Sequence, residues 1–176
     1  MHTTTAEQTA ALPGRSADRV CILIERFAAL TEPGKGPGIT CLAYSPLERR
    51  AHTEFTAYME ELGRQVSTDA AGNTIAELPG SDPRLPVLGT GSHLDSVPNG
   101  RAFDGIAGVV AAMEVARTLV GQPIPTRHTI RFVAFAAEEG ARFGQACTGS
   151  RIVGGLTGPK DRPGLRMRMA SASQMR

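Results

Sequence analysis

Five residues carry the chemistry that this sequence could perform. His93 and Asp95 stand in Gly91-Ser92-His93-Leu94-Asp95, a spacing that puts an imidazole and a carboxylate on one loop. In a metal site the imidazole binds the ion, while a carboxylate takes the other ring N–H and fixes the tautomer. Asp104 follows shortly, in Phe103-Asp104-Gly105, just before a helical stretch. Glu138 and Glu139 come directly after an apolar run. Adjacent carboxylates at a buried strand end repel each other and lose hydration, which costs stability unless cations or donors compensate. Because neighbouring residues point in different directions, one glutamate can bind an ion while the other acts on a water as general base.

Each feature alone has an ordinary structural explanation. His93 would be a hydrogen-bonded histidine at a strand end, Asp104 a helix N-cap, and Glu138-Glu139 a solvated loop or a second cap. Together they read as a co-catalytic metal site. Imidazole and carboxylates without thiolate suit Zn²⁺, Mn²⁺, Co²⁺ or Ni²⁺ and do not choose among them.

The elements that must position these residues are legible from periodicity. Val20, Leu23, Ile24, Phe27 and Leu30 fall at helical spacing over Asp18–Leu30. The turn-rich TEPGKGPG follows. Ser45-Pro46-Leu47-Glu48 reads as a capping box with Pro at the first helical position. The helix it opens carries Leu47, Ala51, Phe55, Tyr58 and Leu62 on one face, and Gly63 closes it. Strands are expected at Arg64–Thr68 and Thr74–Leu78, around the turn Asp69–Asn73. Pro86–Thr90 reads as a buried strand running into the His93 cluster, Ile106–Val120 as an apolar helix, and His128–Ala136 as a strand ending at the glutamates. Alternating strands and helices argue for an α/β fold, and both polar clusters sit at carboxyl ends of strands, where such sheets collect chemistry.

Length and composition set the bounds. The chain has 176 residues, the size of one domain, with 41% hydrophobic and 20% charged residues, near the soluble globular average. No apolar run approaches the roughly 18 residues a membrane span needs. Trp is absent and aromatics are 5%, which argues against a base-stacking nucleic-acid surface. The net charge of +2 is uneven: five of the basic residues and one acidic residue lie in Thr157–Arg176, so the body is mildly acidic. That tail reads as a disordered end rather than a nucleic-acid or lipid contact, because it lacks apolar periodicity. Three cysteines with no CxxC pair indicate neither a disulfide framework nor a thiolate zinc site. With no basic segment leading into an apolar one at the N-terminus, a reducing, cytoplasmic setting is expected.

The stretch GTGSHLDSVPNGRAFDGIAGVVAAMEVARTL, followed by RFVAFAAEEGARFG and TGSR, resembles the M20 metallopeptidase-like amidohydrolases. GITCLAYSP, DAAGN and EEGARFG are similar to its hydantoinase/carbamoylase branch, the N-carbamoyl-L-amino acid hydrolases, allantoate amidohydrolases and β-ureidopropionases, rather than to M20 dipeptidases. The resemblance runs from about Asp18 to Leu156. It implies two divalent metal ions, zinc foremost, with His93 on one, Glu139 on the other and Asp104 bridging. Glu138 would be the general base and Asp95 would orient His93, while Asn73 would determine the fold. The implied reaction is hydrolysis of a linear ureido or carbamoyl C–N bond, releasing ammonia and CO₂ or a related product.

There are departures from the family pattern. Arg101 replaces the second Gly of Gly-Gly before Phe-Asp-Gly, and Cys41 stands where Arg is common. The family supplies two further histidines from later in a longer chain. Of the other histidines here, His2 lies in the leader, His52 in the capped helix and His128 at a strand opening, and none fits those roles. The lid domain through which the family dimerises is also missing. The sequence therefore leads us to expect a flexible leader (1–16), an incomplete zinc-peptidase-like catalytic domain with a mixed sheet flanked by helices (17–156), and a tail (157–176) whose abrupt change of composition fits a frameshifted or truncated product. A small-molecule ureido or carbamoyl substrate is expected, with little turnover and poor solubility for this chain alone.

Overall fold

Two helices, α1 (Ser16–Ala28) and α2 (Pro46–Glu61), precede the strands β1 (Gln65–Thr68) and β2 (Thr74–Leu78); β3 (Leu88–His93), α3 (Ile106–Val120), β4 (Ile130–Phe135) and α4 (Thr148–Val153) follow. The structure, a computed structural model, describes residues 16–120 and 126–156. The expected tail lies outside the described residues, as does the leader up to Ser16, which opens α1. No helix among the described residues is long and apolar enough to cross a membrane.

The strands form one mixed sheet in the order β1-β2-β4-β3. β1 and β2 are an antiparallel hairpin, β2 pairs antiparallel with β4, and β4 runs parallel to β3. The parallel pair needs a crossover, and α3 lies on it, packed against β3 and β4. The sequence of α3 makes close packing possible: Val109, Val110, Ala112, Met113 and Ala116 are all buried. A Cβ on Gly108 would lie 2.6 Å from the Ser92 Cβ, so the helix reaches β3 because that side chain is missing. α1 packs on α3, and α2 on β1 and β2. The core gathers Leu23, Phe27, Phe55, Met59, Val110, Met113 and Phe132 between helices and sheet.

The expected α/β fold with a mixed sheet and flanking helices is therefore what the chain forms. Three local expectations need correction. The strand expected to be buried over Pro86–Thr90 is instead β3, an edge strand that starts at Leu88 and runs on through His93. Among the described residues only β4 borders it, so Leu88 through Gly91 are exposed and the apolar run does not enter the core. α4 was not expected at all: its TGSRIV has no apolar period, and it starts from Cys147 in the left-handed region (φ 59°). The capping box is only half formed. Ser45 Oγ accepts the Glu48 N–H at 3.2 Å, but the Glu48 carboxylate does not return to Ser45. It accepts the N–H of Tyr44 instead, and its other oxygen leaves the helix for the sheet.

Candidate metal centre

At their carboxyl ends β3 and β4 lie side by side in register, His93 opposite Phe135. The last residue of β3 thus faces the loop that β4 delivers. Gly91 lets the two strands approach, since a Cβ there would run into the Val133 carbonyl. The chain then turns through Leu94–Asn99 and enters the Phe103-Asp104-Gly105 corner that starts α3. Gly105 sits there at φ +66°, and an added Cβ would meet the His93 ring atoms Cε1 and Nδ1 at 2.5 Å. Glycine is needed at that position twice over, for the backbone conformation and for the imidazole lying against it.

The histidine is buried and oriented. Its Nδ1 donates to the Asp95 backbone carbonyl at 3.0 Å, which turns Nε2 toward the carboxylates. Nε2 lies 3.7 Å from Asp104 Oδ1 and 3.7 Å from Glu138 Oε2. His93, Asp104 and Glu139 each offer one ligand atom, and these all fall within 4.8 Å of one another. Two donors on one tetrahedral ion with bonds of ~2.1 Å stand roughly 3.4 Å apart; the His93–Asp104 pair at 3.7 Å is close to that, and the cluster as a whole would have to draw together around an ion.

Asp95 does more than the H-x-D spacing indicated. Its carboxylate is fully buried, with Oδ1 3.4 Å from His93 Nδ1, but its hydrogen bonds run elsewhere. Oδ1 accepts the Glu138 N–H at 3.1 Å and Oδ2 accepts the Glu139 N–H at 2.9 Å. The backbone carbonyl of Asp95 holds the imidazole, and its side chain ties the β3 loop to the β4 loop. Asp104 makes no capping hydrogen bond to α3 among the described residues, and its side chain is half exposed, facing the cluster.

The electrostatics favour a cation. Burial works against a charged imidazole, but the Asp95 side chain and carbonyl and the Glu138 charge outweigh it, pushing His93 up to about 9. Burial, then the charges of Asp104 and Glu138, hold the Glu139 carboxyl above its usual range. Four carboxylates surround one imidazole, an arrangement whose repulsion a divalent ion would relieve. The donor set and its spacing fit such an ion.

Sequence reasoning missed two neighbours. Cys147 donates its Sγ–H to Glu138 Oε1 at 3.1 Å, and the same carboxylate, first of all, keeps the thiol above its ordinary range. No spacing rule pointed to this contact, because it depends on the left-handed turn into α4. Glu48 was read only as a cap, although its place on the buried stripe of α2 with His52 and Phe55 was visible. Cys41, at the position where the family commonly has Arg, is buried in the core, and burial pushes its thiol up to about 12.

Comparison with known proteins places the chain in a family and a fold. The sequence model of Peptidase family M28 matches residues 73–161. An N-carbamoyl-L-amino acid amidohydrolase of Geobacillus stearothermophilus is 45% identical over 140 residues, 78% of this chain and 34% of the relative. The allantoate amidohydrolase of Escherichia coli K12 is 35% identical over 127 residues, 70% of this chain and 30% of the relative. A hydantoinase/carbamoylase family amidase from Burkholderia ambifaria superposes with a TM-score of 0.76 at 36% identity, covering 84% of this chain and 36% of that one. The chain spans about a third of the length of the relatives it matches.

Proposed function

Because this chain belongs to the peptidase M28/M20-like hydantoinase/carbamoylase family, we propose that residues 17–156 are the N-terminal part of a metal-dependent catalytic domain that hydrolyses a ureido or carbamoyl C–N bond. The observation that carries this reading is the meeting of His93 Nε2 with the carboxylates of Asp104 and Glu139, while the Asp95 carbonyl turns the imidazole the right way. His93, Asp104 and Glu139 would hold the metal. Asp104, half exposed beside His93, would be shared between two ions, with zinc the foremost candidate and manganese, cobalt or nickel alternatives. Divalent ions held there supply Lewis-acid polarisation of the scissile carbonyl.

The rest is done by the chain's own groups. Glu138 stands next to the ligands without joining them, its Oε2 3.7 Å from His93 Nε2. From there it would take the proton of the attacking water and pass it to the departing nitrogen, so that ammonia leaves neutral. Cys147, donating to the other oxygen, would keep the carboxylate turned toward the substrate. Among the described residues the cluster has these three ligands, fewer than two ions need, so little turnover is expected from this chain on its own.

The test is a transplant. Residues 17–156 replace the matching segment of the Geobacillus stearothermophilus relative, and ammonia release from N-carbamoyl-L-amino acids is followed. The chimera is expected to turn over, and Glu138→Gln is expected to lower kcat by about 10²-fold or more while bound metal is unchanged. A chimera that binds metal but is indifferent to Glu138→Gln would refute the assignment of the base.

A further inference from the structure

The loop that carries Glu138 and Glu139 is held in an unusual way. Four consecutive backbone N–H groups, from Ala136 to Glu139, are each received by a buried side chain. Asn73 Oδ1 accepts from Ala136 at 2.9 Å, Glu48 Oε1 from Ala137 at 2.8 Å, and the two oxygens of Asp95 from Glu138 and Glu139. The three acceptor residues come from three separate places: the start of α2, the β1–β2 turn and the loop after β3. The carbonyls of the same loop face α4. Gly149 N–H donates to Ala136, Thr148 to Ala137 and Cys147 to Glu138.

The two outlying acceptors are themselves fixed. Asn73 is fully buried, and its Nδ2 donates to Asp69 Oδ2 at 2.8 Å and to the Gly149 carbonyl at 3.2 Å, so one amide clasps both ends of the glutamate loop. Asp69 in turn accepts the N–H groups of Ala71 and Asn73. Gly149 has no room for a side chain, since its Cβ would strike Asn73 Oδ1. Glu48 is 3% exposed, and its second oxygen takes the Tyr44 N–H. Ala137 itself sits at φ 52°, in the left-handed region that an alanine enters at a cost of roughly 1–2 kcal/mol. The loop needs outside support to keep that turn, and the turn leads directly into Glu138 and Glu139, which lie against His93.

We propose that Glu48 and Asn73 are positioning residues of the metal centre, holding the backbone turn that aims Glu139 at the metal and Glu138 at the water. This rests on the reading of His93, Asp104 and Glu139 as ligands. Neither residue belongs to the ligand cluster. Both act through the direction of the Ala136–Glu139 backbone, as groups behind metal ligands commonly do at about 10–100-fold in affinity.

The experiment has two readouts on the full chain and its variants Glu48→Met, Glu48→Gln and Asn73→Ala. Methionine fills the glutamate's volume without an acceptor, whereas glutamine keeps one acceptor oxygen. Amide hydrogen exchange reports the loop, and Co²⁺ affinity, by competition with a chromophoric chelator, reports the centre. Glu48→Met and Asn73→Ala are expected to speed exchange at 136–139, leave 130–135 protected, and weaken Co²⁺ at least tenfold, with Glu48→Gln recovering most of the affinity. Unchanged exchange at 136–139, or Glu48→Met binding Co²⁺ as the parent does, overturns the proposal. Protection lost evenly across the sheet also overturns it, because it marks a purely structural role. If the parent chain takes up no Co²⁺, the metal reading fails by itself, and the exchange pattern alone decides whether the two residues hold the loop.

Discussion

Glu48 and His52 lie one turn apart on the buried side of α2, and their titrations oppose each other. Burial, then the charge of Asp95, raises the Glu48 carboxyl from 4.5 to about 7, against the hydrogen bonds from Ala137 and Tyr44 and the charge of Arg49. Burial, then the charge of Arg49, lowers His52 from 6.5 to about 4, against Asp95. His52 is therefore neutral in the fold, with Nδ1 paired to Thr74 Oγ1 at 2.8 Å. A raised carboxyl stabilises the fold below its unfolded value and loses that contribution as pH rises through 7. A depressed histidine contributes above 6.5 and loses that contribution as pH falls through 4. Each effect is on the order of 3 kcal/mol, so the two largely offset between pH 4.5 and 6.5. Thermal midpoints across that window separate them. Glu48→Gln should make the midpoint climb with pH, and His52→Gln should make it fall. Parallel slopes in the two variants would contradict this assignment.

At the scale of elements, the glycines show which turns serve the site and which only end a helix. Gly63 follows α2 at φ +71° with nothing near its Cβ position, so Gly63→Ala meets only backbone strain, about 1 kcal/mol. Gly105 has the same kind of φ but lies against His93. Gly105→Ala is expected to lower the thermal midpoint further than Gly63→Ala and to abolish Co²⁺ binding, which Gly63→Ala retains. Equal metal affinity in the two variants would count against the corner as the support of His93. Much at this scale was legible in sequence. The limits of β2 and α3 coincide with those read from periodicity, and Ser45 caps α2 as expected. The strand ends deliver His93 and the glutamates to one place, because an apolar run followed by polar residues marks where a strand leaves the sheet. What failed had physical reasons. Burial of β3 depends on a neighbour strand, which apolar content does not report. α4 is six residues started by a left-handed Cys147, and the reach of Glu48 to Ala137 spans 89 positions, beyond any local pattern.

For the molecule as a whole, the open side of β3 is the exposed weakness. Among the described residues β3 ends the sheet with one flank unpaired, and Val87 and Leu88 there are 45% and 51% exposed. An unpaired edge with apolar side chains invites pairing with a second strand. The chain is expected to self-associate with rising concentration, and Leu88→Lys to suppress this without changing Co²⁺ affinity. Light scattering that shows a monomer throughout would contradict this view of the edge. The same strand delivers His93, so the edge and the metal centre are two ends of one element. The chain spans about a third of the amidohydrolases it matches, yet it brings together the imidazole and the carboxylates by itself.

Whether His93, Asp104 and Glu139 hold a metal is tested most directly by titrating Zn²⁺ into the purified chain and following the heat of binding. Saturable binding is expected in the parent, weakened at least tenfold in His93→Ala and in Glu139→Ala. No binding by the parent, or binding that both variants keep at full strength, would contradict it.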